Sequence, residues 1–208
     1  MTPRRTLVDA YCALGAAGMI AGSAGNVSLR DGTGMLISPT GTTPERISPD
    51  ALVAIGFDAP APGASSEWAL HGGLYQARPE FNAIVHTHAD ACTALACLGE
   101  DLPAFHYEIL AFGGDSVRCA PYVTFGTPEL AALAVQAMAG RSACLLGNHG
   151  MIAAGATLEK AMAHAFHLER LCRQYLMARA AGRPRLLTAA QIADAQERFR
   201  SYHRPASG

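Results

Sequence analysis

Three short apolar segments, "VSLR", "GMLISP" and "LVAIGF", follow one another between residues 27 and 57, each bounded by turn residues. Runs of this length and punctuation read as β-strands. Farther along, strands alternate with helices. "NAIVHTH" predicts a strand and "ADACTALACLG" a helix; "VRCAPYV" predicts a strand and "TPELAALAVQAMAG" a helix; "ACLLGNHGMIAAG" predicts a strand, a turn and a second strand. Helices are also predicted over about 4–19, 66–78, 157–181 and 188–200. Strands that occur both in a cluster and between helices predict an α/β fold, with a mixed sheet covered by helices on both faces.

The length of 208 residues allows a sizeable core. We expect a single domain over 1–208 with a tail at about 201–208. "FDAPAPGAS" is too short to separate domains and reads as a loop. The formal net charge is −1 and neither end carries a basic block, so neither nucleic acid nor a membrane surface is the expected partner. No apolar run approaches the roughly 18 residues of a membrane span. At the N-terminus, Asp9 and the spacing of Leu7, Tyr11, Leu14 and Met19 favour an amphipathic helix over a signal peptide. The six cysteines are scattered without a Cys-x-x-Cys pair, which fits free thiols and a cytoplasmic location.

The chain has fifteen arginines and one lysine, Lys160. Chemistry through a lysine Schiff base must use that residue. Thr157 to Glu159 read as a helix start, which places Lys160 on a solvated first turn and argues against such a role.

"NAIVHTH" sets His86 and His88 one residue apart. Residues i and i+2 of a strand share a face, so both imidazoles can hold one ion. "LLGNHGMI" puts His149 between an apolar strand and Gly150, at a turn that can push a side chain into a cleft. "SSEWALH" places Glu67 in the first turn of a helix, where the macrodipole favours an anion. Three imidazoles and a carboxylate suit Zn²⁺ or a similar divalent ion, and a carboxylate that can leave gives the open position of a catalytic site. His71, four residues after Glu67 on the same helix face, is a competing ligand that we read as an ordinary helix histidine. His106 precedes Tyr107 and is placed near the site, while His164 and His167 read as packing or surface groups.

"GSAGNVSLR", "LISPTG", "SSEWALH", "VHTHADACTALA", "FGGDSVRCAPYVTFGT" and "LLGNHGMIAAGATLEKAMAHAFHLE" occur in this order. Together they resemble the class II aldolase/adducin family, over about residues 5 to 202. The resemblance implies a three-layer α/β/α fold with a central mixed, mostly antiparallel sheet. It implies one Zn²⁺ per subunit on His86, His88 and His149, with Glu67 as a fourth ligand in the resting site and the acid/base of catalysis. It puts a substrate phosphate against Gly25-Asn26, Thr40-Gly41 and Ser65-Ser66. Glycines allow close approach there, and amides, hydroxyls and a helix N-terminus can hold an anion without arginine. Tyr107 and Tyr202 match two tyrosines that assist proton transfer.

The implied reaction is aldol cleavage of a ketose 1-phosphate, of the fuculose 1-phosphate type, to dihydroxyacetone phosphate and a short aldehyde. The implied assembly is a homotetramer with active sites at subunit interfaces. Glu108 departs from the aldolase pattern and is similar to an acid/base of the methylthioribulose-1-phosphate dehydratases of the same scaffold. A dehydratase is therefore an alternative, beside an epimerase or a decarboxylase of the same scaffold; the epimerases carry aspartate where this chain has Glu67, which counts against that branch. A non-catalytic adducin-like interaction module is disfavoured, because such modules lack the zinc-binding histidines.

Overall fold

Seven strands form one sheet in the computed structural model, which describes residues 2–202 and side chains up to residue 199. In chain order they are β1 (Gly25–Asp31), β2 (Gly34–Ile37), β3 (Val53–Gly56), β4 (Ala83–Thr87), β5 (Cys119–Ala120), β6 (Ala143–Leu146) and β7 (Gly150–Gly155). Their spatial order is β3-β2-β1-β4-β7-β6-β5. Every neighbouring pair is antiparallel except β5 with β6. The sheet is therefore mixed and mostly antiparallel. The helices are α1 (Pro3–Ala16), α2 (Trp68–Ala77), α3 (Asp90–Ala96), α4 (Pro128–Ala137), α5 (Leu158–Ala181) and α6 (Ala189–Tyr202), with 3₁₀ turns at Pro49–Ala51 and Tyr107–Phe112.

Local sequence explains the helix starts. Thr2, Thr127 and Thr157 each accept a backbone N–H at the head of α1, α4 and α5, and Pro3 and Pro128 follow two of them. A threonine hydroxyl satisfies an orphan donor there, and proline loses nothing at the first helical position. The start of α3 has no cap of its own. Its Ala91 and Cys92 amides donate instead to the Glu169 carboxylate of α5, at 3.0 and 2.9 Å. Buried Glu169 is thus accounted for as the cap that fixes the segment following His88.

The period-two alternation of the strands divides the core into two layers. Ala83 and Val85 of β4, and Met151 and Ala153 of β7, pack with α1, α3 and α5. Ile84 of β4, and Ile152 and Ala154 of β7, pack with α2 and α4. His86 continues the Ile84 face, so it points toward α2. The predicted strand "VRCAPYV" pairs only at Cys119–Ala120. Pro121 has no N–H to give a ladder, and Val117 forms an isolated bridge with Leu102. Among the described residues, no helix is long and apolar enough to cross a membrane.

Candidate active site

The sheet and α2 bring together four side chains from three parts of the chain. One ligand atom each from Glu67, His86, His88 and His149 lies within 4.8 Å of the others. The three imidazole ring centres are 4.8 to 5.0 Å apart and meet edge to face. His86 Nε2 lies 2.7 Å from Glu67 Oε2 and 3.2 Å from His88 Nε2. His149 Nε2 lies 3.5 Å from Glu67 Oε1.

Three of the four donors have a local cause. His86 is fully buried, and its Nδ1–H donates to the Met151 carbonyl of β7 at 2.8 Å. That bond sets the tautomer and turns Nε2 toward the cluster. His149 follows Asn148, the one described non-glycine residue with a left-handed backbone (φ 51°), a conformation asparagine tolerates. Gly150 then lets β7 begin against His88: a Cβ at this position would lie 2.5 Å from the Thr87 carbonyl oxygen and 2.9 Å from His88 Cδ2. Glu67 is the residue capping α2 rather than a member of its first turn, and its side chain makes no capping bond. The carboxylate is left for the cluster.

Electrostatics match this arrangement. Burial raises the pKa of Glu67, but the charge and hydrogen bond of His86 lower it further, helped by His149 and His71, so the carboxyl sits well below the usual range. Burial, with His86 adding to it, pushes His88 and His149 down to about 4. Burial lowers His86 as well, but the Glu67 charge and hydrogen bond and the Met151 carbonyl outweigh it and raise its pKa; a metal, which takes an ionised carboxylate and neutral imidazoles, would displace that proton. Glu67 Oε1 and His149 Nδ1 are also buried without a hydrogen-bond partner. This donor set fits a divalent cation in both chemistry and need.

The cluster opens into a cavity of about 230 Å³. Gly25, Asn26, Thr40, Gly41, Ser65 and Ser66 line it together with Glu67, His88 and His149. No arginine or lysine among the described residues lines it. The Thr40 and Ser65 amides donate to the Gly63 and Ser38 carbonyls, and the Ser65 hydroxyl accepts from Glu67 N at 3.3 Å. Ser65 therefore shapes the turn into α2. Phe125, 62% exposed, forms an additional wall. Its signal in the sequence was the aromatic residue within "VTFGT", in a segment quoted above without a role for that side chain.

Other site candidates lie elsewhere. Tyr107 is 49% exposed, stacks on His106 and meets Phe199 of α6; it does not line the cavity of its own chain. The Glu108 carboxylate accepts from His167 Nε2 at 3.0 Å and from Arg170. The Tyr202 side chain lies outside the described residues. His71 stands apart from the four-donor group, with both ring nitrogens bonded to Ser28 and Asn26. Lys160 is exposed on the first turn of α5.

Comparison with known proteins gives a class to this fold and site. Residues 5–176 match the Class II Aldolase and Adducin N-terminal domain. Over 202 residues the chain is 43% identical to an L-fuculose phosphate aldolase of Escherichia coli O6:H1 (strain CFT073), covering 95% of this chain and 94% of the relative. It is 42% identical, also over 202 residues, to a 5-methylthioribulose-1-phosphate/5-deoxyribulose-1-phosphate aldolase of Rhodospirillum rubrum, covering 96% and 91%. A solved L-fuculose 1-phosphate aldolase superposes with a TM-score of 0.89 at 34% identity, covering 95% of each chain. The chain belongs to the class II aldolase/adducin family. With its histidine–glutamate cluster, it is a metal-dependent class II aldolase, a lyase.

Proposed function

We propose that this enzyme cleaves a ketose 1-phosphate reversibly into dihydroxyacetone phosphate and a short aldehyde, with one Zn²⁺ or similar divalent ion per subunit. One observation carries the reading: a single cavity holds both the cation-binding cluster and the loops suited to a phosphate. A divalent cation on His86, His88 and His149 supplies Lewis-acid stabilisation of negative charge on the ketose oxygens. The phosphate sits against the segments Gly25-Asn26, Thr40-Gly41 and Ser65-Ser66, beside the N-terminus of α2. Binding the phosphate there fixes the sugar's pose over the cluster. Glu67 moves the proton at the carbon centre.

A second reading concerns the sugar and the reaction. The two relatives compared above are named for different sugar phosphates at nearly equal identity, so 5-deoxyribulose 1-phosphate stands beside the fuculose type as a substrate. The ion pair of Glu108 with Arg170 and its hydrogen bond from His167 occupy the carboxylate that a dehydratase mechanism would need free. An assay of fuculose, 5-deoxyribulose and methylthioribulose 1-phosphates is expected to release dihydroxyacetone phosphate from at least one, without inactivation by borohydride. A dehydrated product with no dihydroxyacetone phosphate would move the enzyme to the dehydratase branch.

The position of Tyr107 supports an assembled enzyme. Half exposed and off its own chain's cavity, it can serve the leaving aldehyde oxygen only in a neighbouring subunit, as in a homotetramer with sites at the interfaces. Tyr202 is assigned the same role. A four-fold ring contact is heterologous, so a segment of one chain can complete the site of the next. Light scattering should give a tetramer. Mixed rings of Tyr107→Phe and Glu67→Gln chains should regain activity that neither parent has. A monomer, or mixed rings as inactive as their parents, would refute the shared site.

A further inference from the structure

Behind Glu67, α2 and β1 face each other through an unbroken row of polar side chains. Helix residues four apart are separated by about 6 Å along the axis, and strand residues two apart by about 6.6 Å. The two spacings nearly match. Glu67 at the cap of α2, and His71 and Tyr75 on its successive turns, therefore meet Asn26 and Ser28, on one face of β1. Asn26 lies opposite His86 in the ladder, and Ser28 lies opposite Ile84. Tyr75 OH is 2.8 Å from Ser28 Oγ, and Ser28 Oγ is 2.7 Å from His71 Nδ1. His71 Nε2 is 2.5 Å from Asn26 Oδ1. Asn26 Nδ2 is 3.5 Å from Glu67 Oε2, the longest link. All five residues are buried.

The ionised carboxylate gives this row a direction. Glu67 Oε2 can only accept, so Asn26 must turn its NH₂ toward it and its Oδ1 toward His71. Asn26 Oδ1 also only accepts, so His71 must carry its proton on Nε2. Nδ1 is then an acceptor for the Ser28 hydroxyl, which in turn accepts from Tyr75. The opposite amide orientation would set two acceptor oxygens against each other inside the protein.

We infer that His71 is a positioning residue for the aldolase reaction: as its Nε2–H tautomer, set by Ser28, it orients the Asn26 amide to donate to Glu67. The inference rests on the reading of Glu67 as the proton-transfer group. His71 touches no reacting atom. It keeps one N–H aimed at the carboxylate that must alternate between cluster and substrate. Outer partners of this kind are worth roughly 10- to 100-fold in activity or metal affinity.

The test uses the full-length, zinc-loaded protein. His71→Phe keeps the ring's bulk but can neither donate nor accept. It should lower kcat about 10- to 100-fold with KM and zinc content unchanged. His71→Gln returns an N–H near the Nε2 position and should recover most of kcat. Ser28→Ala removes only the donor to Nδ1, adds no bulk, and should lower kcat by less than His71→Phe. It keeps the test open if the phenylalanine variant does not fold. Histidine ¹⁵N spectra of the wild type should show His71 protonated on Nε2 and not on Nδ1. An Nδ1–H tautomer, a wild-type kcat in both His71→Phe and Ser28→Ala, or parallel losses of zinc and kcat in His71→Phe and His71→Gln alike would overturn the positioning role. Glu67→Gln measured alongside separates the two ideas: if it keeps its turnover, the reading of Glu67 falls, while the tautomer and the amide orientation are still judged by the spectrum.

Discussion

Glu67→Gln is expected to retain its metal and lose turnover by about 10²- to 10⁴-fold, the usual worth of a positioned acid/base. The substitution keeps the size and shape of a side chain that is only 5% exposed, so the cavity should survive. Three imidazoles remain to hold the ion, which is enough for a catalytic zinc site. An amide, however, can neither take nor return a proton. Metal analysis and kcat on the same preparation check the prediction. A kcat near that of the wild type would remove Glu67 from the proton-transfer role and leave only a ligand.

His86→Ala should cost more metal than any other single change at the cluster. His86 is the one ligand histidine that is completely buried, and its Nδ1–H bond to Met151 holds the ring in place. Removing it deletes a donor, leaves the Met151 carbonyl without that partner, and strips Glu67 of its 2.7 Å contact. The orphaned buried groups alone cost about 1–3 kcal/mol each. His149, whose Nδ1 has no partner, is held by its turn, and His149→Ala should also lose metal. Both losses should exceed the roughly 10- to 100-fold typical of outer-shell changes. Dialysis against a chelator followed by metal analysis measures them. Full occupancy in both variants would show that the ion sits elsewhere.

The parts of this site legible in the sequence are those set by local geometry. A His-x-His that starts in a strand, a histidine between a strand and Gly150, and a glutamate at a helix start each follow from one element's periodicity or punctuation, although β4 ends at Thr87 and His88 lies one residue past it. The strand cluster in residues 27–57, followed by strands between helices, likewise implied a mixed sheet, while its mostly antiparallel character came from the family resemblance. What escaped depends on which elements become neighbours. His71 read as an ordinary helix histidine or a competing ligand, because nothing near it in sequence shows that Asn26 and Ser28 of β1 lie under it. Asn26 read as a phosphate-turn residue, and its side-chain amide is committed to Glu67 and His71. Tyr107 read as a site residue, and that it lies on a 3₁₀ turn off the cavity of its own chain is a tertiary fact. "VRCAPYV" read as a full strand because β-branched and aromatic residues outweighed Pro121.

The register of β4 between β1 and β7 bears on how the chain folds. The four donors come from residues 67 to 149, and only His86 and His88 are neighbours along the backbone. An unfolded chain offers an ion that one pair. The third imidazole and the carboxylate arrive once β4 has paired on both sides, after two long loops have closed at an entropic cost that grows with their length. A cation that binds the finished cluster therefore ties the start of α2, the end of β4 and the β6–β7 turn into a single knot across the sheet. It favours the completed topology over any partly paired one by its own binding free energy.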